Sequence, residues 1–492
     1  MRPMCEAVGN RAGSCLRACS RTMVRLACIC TTIAAGGCKV GPDYKQPDTK
    51  TSPAWMGVDP SGGAPGVNSI PTSAQADVSR WWEVFKDQTL QTLVERATTE
   101  NLDVQAAALR ISEARATRDA AAAGLSPQVN VDGSATRSRS TEGTHNLFRA
   151  GFDASWEIDV FGGLQRGVEV AAAQEQSSIE DARDVRVTVA AEVASTYCDL
   201  RGAQRRLEIA RKNLDAQRET LNVTTQRFDA GFVGGLDVAN ARALTASTQS
   251  LIPSLESAIR ADMYALGVLL GAEPGTLVDE LGVGNADVTI PVPPSTVPTG
   301  MPSDLLRRRP DIRRAEANLH ASTAQVGVAV ADLYPKFSLT GSLGIQSGNL
   351  QGLGTLANRY WSIGPSVSWP LLDGGRIRAN IRLQQALADE TGVAYRKTVL
   401  GALQEVETAL IAFQKEQERR TTLEESVAAN TKAVELSTDL YTGGRTDFLN
   451  VLDAQRSLLI AEDALVQSTT AISSDLVALY KALGGGWQDA QQ

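Results

Sequence analysis

Residues 359–375 read RYWSIGPSVSWPLLDGG. Trp361, Ile363, Pro365, Val367 and Trp369 fall on every second position, and Ser362, Gly364, Ser366 and Ser368 stand between them. That alternation is the period of a β-strand, whose successive side chains point to opposite faces. One face carries a tryptophan at each end. The other is almost bare of large side chains. Two surroundings fit such a strand: the core of a soluble sandwich, or a barrel wall with lipid on one side and water on the other.

The same pattern recurs upstream. Phe148, Phe152, Trp156 and Ile158 alternate with Arg149, Gly151, Asp153, Ser155 and Glu157. Phe337, Leu339, Leu343 and Ile345 oppose Lys336, Ser338, Thr340 and Ser342. A soluble sandwich buries its apolar face; a membrane barrel turns it to lipid, with aromatics near both interfaces. Trp361 and Trp369 lie about 26 Å apart along an extended chain at about 3.3 Å per residue, enough to approach opposite interfaces. Phe152, Trp156, Trp361, Val367 and Trp369 are therefore expected to face lipid. Four strands cannot close a membrane barrel, because the smallest have about eight. An open strand edge in lipid leaves backbone groups unpaired. Other copies of the chain must complete the wall, and a dimer or a larger ring would both do so.

The chain is duplicated. NLDVQAAALRISEARATRDAAAAGLSP (101–127) lies against RPDIRRAEANLHASTAQVGVAVADLYP (309–335), and FDAGFVGGLDVANA (228–241) against YTGGRTDFLNVLDA (441–454). The first match is shifted by 208 positions and the second by 213, as is Trp156 against Trp369. Five residues are therefore gained between Pro335 and Trp369, where SGNLQGLGTLA reads as a longer hairpin loop. Each half is expected to run helix, two strands, long helix, return helix. The strands are predicted at about 128–140 and 148–160, then 336–347 and 358–370. The long helices are predicted at about 164–228 and 376–441, and the return helices at about 236–270 and 447–483. The repeats span 80–290 and 303–485, joined by the Pro-rich linker 291–302, with a tail at 486–492.

Val193, Leu200, Leu207, Leu214, Leu221 and Phe228 recur every seven residues. Val406, Phe413, Arg420, Val427, Val434 and Tyr441 repeat that ladder 213 positions later. Heptad spacing points to coiled-coil packing. The 66 residues from Arg376 to Tyr441 make a helix of about 100 Å at about 1.5 Å per residue. A soluble coiled coil or filament would share the ladders but not the intervening strands.

Residues 1–37 combine Arg2, Arg11, Arg17, Arg21 and Arg25 with the apolar run LACICTTIAAGG, ahead of Cys38. These are signal-peptide features, and Met23 is expected to be the true start. Five of the seven cysteines fall in that segment. With Cys38 carrying lipid, Cys198 stands alone and no intrachain disulfide is expected. Residues 38–79 then read as an extended, lipid-anchored segment. A net charge of −8 gives no general attraction to nucleic acid. The two histidines, His145 and His320, are too far apart in sequence to suggest a metal or catalytic cluster. No nucleotide loop, nucleophile–base pair or metal-ligand spacing stands out, so no cofactor, metal or enzymatic activity is expected. His145 is expected in an outward loop and His320 on a helix.

CKVGPDY, WWEVFKDQTLQTLVERA, RPDIRRAEANL, VGVAVADLYPKFSLTGSLG, SVSWPLLDGGRIRA and QRFDAGFVGGLDVANAR together resemble the TolC-type outer membrane efflux proteins, in the lipoprotein branch typified by OprM and NodT. The resemblance spans roughly 38–485. It implies a homotrimer whose four strands per copy complete a 12-stranded outer membrane β-barrel. A long periplasmic α-helical tunnel continues the barrel, with a small mixed equatorial domain from segments near 80–97, 272–308 and the C-terminus. It implies acylation of Cys38 and a location in the outer membrane of a Gram-negative bacterium. It implies a passive exit duct for small toxic compounds, coupled to a periplasmic membrane-fusion adaptor protein and an inner-membrane pump of the resistance–nodulation–division type. At the periplasmic tip it implies a closing network that includes Asp237 and Tyr441, and an acidic ring at Asp453. Asn450 stands where some relatives have a second acid. A type I protein-secretion duct and a non-conducting envelope lipoprotein are the competing functions; the bare Ser/Gly strand face counts against a plugged pore.

Overall fold

The computed structural model describes residues 39–49, 52–56, 69–72, 74, 78–141, 143–282 and 289–487. Cys38 and the signal region lie outside the described residues. Six strands and seven main helices follow in chain order. They are β1 (Ile70–Thr72), α1 (Gln88–Glu100), α2 (Leu102–Ala123), β2 (Gln128–Ser140), β3 (Gly143–Ile158), α3 (Gly163–Asp229) and α4 (Gly235–Leu269). Then come β4 (Thr296–Pro298), α5 (Pro310–Ala331), β5 (Lys336–Ser347), β6 (Arg359–Ser368), α6 (Arg376–Thr442) and α7 (Phe448–Ala482). The chain divides into two compact units: 1–47, 113–176 and 316–393 form one, and 48–112, 177–315 and 394–492 the other.

The duplication is reproduced element by element. Adding 208 carries both ends of α2 onto α5 and the start of β2 onto β5. Adding 213 carries both ends of α3 onto α6 and of α4 onto α7. Individual contacts repeat as well. The Asn101 side-chain amide donates to the Leu269 carbonyl, and Arg309 Nη1 donates to the Ala482 carbonyl, each at the last residue of a return helix. Such a contact satisfies a carbonyl that the helix end leaves without an internal partner.

In the first unit, β2, β3, β5 and β6 form one antiparallel sheet in that order. The five extra residues sit in the β5–β6 connection, which makes two 3-10 turns over Leu350–Gly354 and Leu356–Asn358. β3 begins at Gly143, five residues before the expected 148. Its polar start reads as loop in sequence but pairs with Arg137–Ser140 of β2. His145 is therefore in a strand opposite Ser138, not in a loop.

In the second unit, Trp81, Trp82, Phe85, Leu90 and Leu93 are buried, and Trp81 stacks on Tyr480 with centroids 5.5 Å apart. The linker 291–302 is more than extended chain. Val297 is buried, and β4 pairs parallel with β1. The tail is likewise engaged at its start: Gly486 N–H donates to the Val78 carbonyl, and Trp487 Nε1 to the Arg308 carbonyl. Of the heptad ladder, Val193, Leu200, Leu207, Leu214, Val406, Phe413 and Tyr441 are buried, whereas Phe228 at the end of α3 is exposed. No described helix is long and apolar enough to cross a membrane.

Candidate functional site

The sheet sorts its side chains by register from its helix-proximal end up to the hairpin ends, where Arg137, Arg139, Asn146 and Arg359 share the otherwise apolar face. Phe152 faces Val131 on one side and Leu343 on the other, and Leu343 faces Trp361. Directly opposed residues share a face, so this row is apolar across all four strands. Trp156 with Leu339 and Pro365, and Phe337 with Val367, lie on the same face. Phe152, Trp361, Val367 and Trp369 are more than half exposed, an unusual state for so many large apolar groups on one surface. Trp156 is half-buried. Its indole Nε1 donates to the Leu125 carbonyl at 2.9 Å, and Trp369 Nε1 donates to the Leu333 carbonyl at 3.0 Å. The two contacts are equivalent under the repeat: each ties a ring on the apolar face to the turn that closes the preceding helix.

The opposite face is polar and shallow. Ser338 and Ser366 hydroxyls lie 2.6 Å apart, and Ser342 and Ser362 2.7 Å apart. Gly151 faces Gly344, and Gly344 faces Tyr360. The Tyr360 ring lies over this glycine pair: a Cβ on Gly344 would come 2.8 Å from its Cε1, and one on Gly151 2.9 Å from its hydroxyl. Arg149 stacks on the same ring at 5.4 Å and donates to Gln346. Glycine at both positions lets the one large ring of this row lie flat instead of projecting.

The chain just after Cys38 is strapped to the base of this sheet. Val40 N–H donates to the Phe161 carbonyl, three residues past the end of β3. Buried Arg166 donates to the Val40 carbonyl and pairs with Asp43 at 2.6 Å and Glu169 at 2.9 Å. Glu169 also accepts from Lys39 at 3.1 Å and meets His320 Nε2 at 3.1 Å. Burial alone would raise the Glu169 carboxyl, but hydrogen bonds from His320, Lys39 and Arg166 outweigh it and hold it at about 2. His320 in turn stacks on Tyr44, 4.5 Å between centroids. Gly41 and Gly327 let the strap lie backbone to backbone: a Cβ on Gly41 would come 2.5 Å from the Gly327 Cα.

In the second unit, the turns joining α3 to α4 and α6 to α7 carry the other expected site residues. Tyr441 is buried with Phe448, Val451 and Ala241. Its ring lies 5.4 Å from Phe448 and beneath the Arg227 guanidinium at 4.6 Å, and Arg227 Nη1 donates to the Tyr441 carbonyl. Within the chain, Tyr441 and Asp237, the two residues of the expected closing network, make no hydrogen bond through the phenol. The Tyr441 hydroxyl is buried and has no hydrogen-bond partner among the described residues. Arg227, which sequence reasoning missed, occupies the ring instead. Gly234 is the cap residue of α4, and Asp237 sits in its first turn, where an acid complements the helix dipole. Asp453 and Asn450 are exposed on α7, and Asn450 Nδ2 donates to Thr446 Oγ1. Phe232 and Leu236 project from the α3–α4 turn and are largely exposed. No cluster of metal-binding side chains occurs among the described residues.

The family model described as outer membrane efflux protein matches residues 93–272 and 301–485. Nodulation protein T of Rhizobium leguminosarum bv. trifolii is 34% identical over 463 residues, 93% of this chain and 96% of that protein. The pyoverdine export outer membrane protein OpmQ of Pseudomonas aeruginosa is 34% identical over 433 residues, 85% of this chain and 90% of that one. The solved outer-membrane channel OprN superposes with a TM-score of 0.83 at 38% identity, covering 92% of this chain and all of that one. The open state of the Neisseria gonorrhoeae MtrE outer membrane channel gives 0.80 at 26% identity over 92% of this chain.

Proposed function

We infer that this chain, which belongs to the outer membrane efflux protein family, works as a homotrimeric exit duct, and that it does so without catalysing a reaction. The observation that carries this reading is the four-stranded sheet with one exposed face that is apolar up to the hairpin ends, one polar face and two unpaired edges. Three copies supply twelve strands, within the range that closes a membrane barrel. Phe152, Trp156, Trp361, Val367 and Trp369 then face lipid, and the Ser/Gly face lines a water-filled lumen. Acylated Cys38 fits the strap, because Lys39 and Val40 are held beside Phe161 and Gly162, next to the end of a barrel strand.

The helix turns at 229–235 and 442–446 form the periplasmic tip, where an adaptor protein docks and passes cargo from an inner-membrane pump. Tyr441, Asp237 and Arg227 bias its closure, and Asp453 of three copies makes a cation-attracting ring, with Asn450 adding no charge. The cargo is small toxic compounds; the toluene and antibiotic efflux names of two relatives agree with that class. Purified protein in planar bilayers should conduct, and Asp453→Asn should reduce its cation preference. Non-conducting trimers would reject the duct.

A further inference from the structure

The sheet ends on two edge strands, β2 and β6, each paired on one side only. We propose that β6 of one copy pairs antiparallel with β2 of the next in a single register, which sets Ser366 opposite Ser134 and Ser362 opposite Ser138 of that next copy. This rests on the ring of copies proposed above and adds which residues meet in it.

The register follows from the duplication. Gln128 faces Ser155 in the first hairpin; shifts of 208 and 213 turn that pair into Lys336 and Ser368, which face one another in the second. The two hairpins therefore obey the same residue correspondence as the helices. The join between the halves, β3 to β5, has Asp153 opposite Ser342 and Arg149 opposite Gln346. Moving β3 forward by 213 and β5 back by 208 converts this join into the missing one, β6 to β2 of the next copy. The pairs become Ser366 with Ser134, and Ser362 with Ser138.

Two further observations agree. The converted register puts Val367 opposite Gly133 and Trp369 opposite Val131, so the apolar face continues across the helix-proximal part of the seam, while Ile363 and Trp361 meet Arg137 and Arg139 toward the hairpin ends; a slip of one residue would turn every side chain to the wrong face. It also extends the serine rows, since Ser366 and Ser362 already hydrogen-bond to Ser338 and Ser342 on their other side.

The helices carry the same signature. Within the chain, α5 meets α3 through Arg313 and Glu180 at 2.9 Å, and through Arg314 and Asp181. The same shifts set α2 of the next copy against α6, with Val393 in place of Glu180 and Leu400 in place of Val187. Glu180 and Val187 are 0% and 3% exposed, while Val393 and Leu400 are 65% and 66% exposed. The covered seam inside the chain thus has an uncovered, apolar counterpart. Volume is exchanged too. Arg166 packs over Gly327, where a Cβ would meet it at 2.9 Å; the counterparts are small Ala379 and larger Asp119 of the next copy.

The test is oxidative cross-linking of the full-length protein in detergent. Cys198 is buried and is the one free cysteine among the described residues, so background linking is low. S134C/S366C and S138C/S362C should each give a reducible, covalently linked trimer. The offset pairs D132C/S366C and T136C/S366C should link about tenfold less, because a two-residue offset separates the Cα atoms by roughly 7–8 Å, beyond disulfide reach. Light scattering of the unmodified protein separates the possible failures. A trimer in which an offset pair links best overturns the register and leaves the ring standing. A monomer in which no pair links overturns both.

Discussion

Arginine at Ile363 should prevent assembly, whereas arginine at its neighbour Gly364 should not. Ile363 is exposed on the apolar face opposite Gly341. It lies six residues from Trp369. At about 3.3 Å per residue and a strand tilt of about 45°, that is about 14 Å from the Trp369 level, within an apolar band about 25 Å tall and on the side where the proposed register sets Arg137 opposite Ile363. A cation there costs up to about 2–4 kcal/mol on the lipid face of a barrel and adds like charge beside Arg137, so three copies cost up to about 6–12 kcal/mol, comparable to the whole stability of an ordinary domain. Gly364 points to the polar face, and a Cβ there meets nothing within 4 Å. Its carbonyl bond from Thr340 Oγ1 does not involve the side chain. Gly364→Arg should therefore cost close to nothing in stability while placing three cations in the lumen. The assay is the fraction of trimer that survives unheated SDS electrophoresis, followed by single-channel recording of what survives. Ile363→Arg should leave mainly monomer. Gly364→Arg should leave normal trimer with lower conductance and weaker cation preference. Equal trimer loss in both, or the reverse order, would refute the assignment of the two faces.

Trp156→Phe and Trp369→Phe each remove one indole donor from a helix-end carbonyl, so each should cost about 1 kcal/mol, and the double variant about the sum, in urea titrations of refolded protein. The strap should respond to acid. The Glu169 carboxyl is held at about 2 against an ordinary 4.5, so its contribution is complete above about pH 4.5 and is lost as pH falls toward 2. Amide exchange at Lys39–Tyr44 should accelerate across that window, and Glu169→Gln should abolish the pH dependence. Mass spectrometry of the mature N-terminal peptide should find acyl chains on Cys38; an unmodified cysteine would sink the anchor. In Cys38→Ser the barrel should still insert, because it spans by its own strands.

The parts legible in sequence are those with a period. A sheet between lipid and water writes its two environments at alternate positions, so Trp361 to Trp369 reveals both the strand and its faces. The duplication exposes the hairpin insertion in the sequence itself, because Pro335 and Trp369 keep different offsets from their counterparts. What stayed hidden depends on single contacts between residues far apart in the chain. Nothing in the neighbourhood of Arg166 announces that it will be buried beneath Asp43 and Val40 against Gly327. The pairing of Thr296–Pro298 with Ile70–Thr72 is equally silent, since three residues in a proline-rich stretch are too few to show alternation. Tyr441 is legible as the end of the ladder and, through the resemblance, as a tip residue, but its ring partner, Arg227, lies 214 residues away and follows no spacing rule.

The unpaired hydroxyl of Tyr441 makes the tip testable. A buried phenol without a partner costs about 1–3 kcal/mol, so a single chain would be at least as stable with phenylalanine there. The proposed acceptor is Asp237 of a neighbouring copy, and because the hydroxyl is enclosed by its own chain, forming that bond requires the Tyr441 ring to turn outward. A bond to a charged group is worth about 1.5–3 kcal/mol, so three of them bias the tip by about 5–9 kcal/mol. About 5.5 kcal/mol suffices to take a two-state equilibrium from 99:1 to 1:99. Tyr441→Phe should then raise single-channel conductance, Asp237→Ala should do the same, and the double variant should add little beyond either. Arg227 acts on the ring face and the backbone carbonyl, both of which phenylalanine keeps, so Arg227→Ala and Tyr441→Phe should add independently. Additive effects of Asp237→Ala and Tyr441→Phe, or unchanged conductance in an intact trimer, would dissolve the pairing and leave Tyr441 as the packed end of its helix ladder.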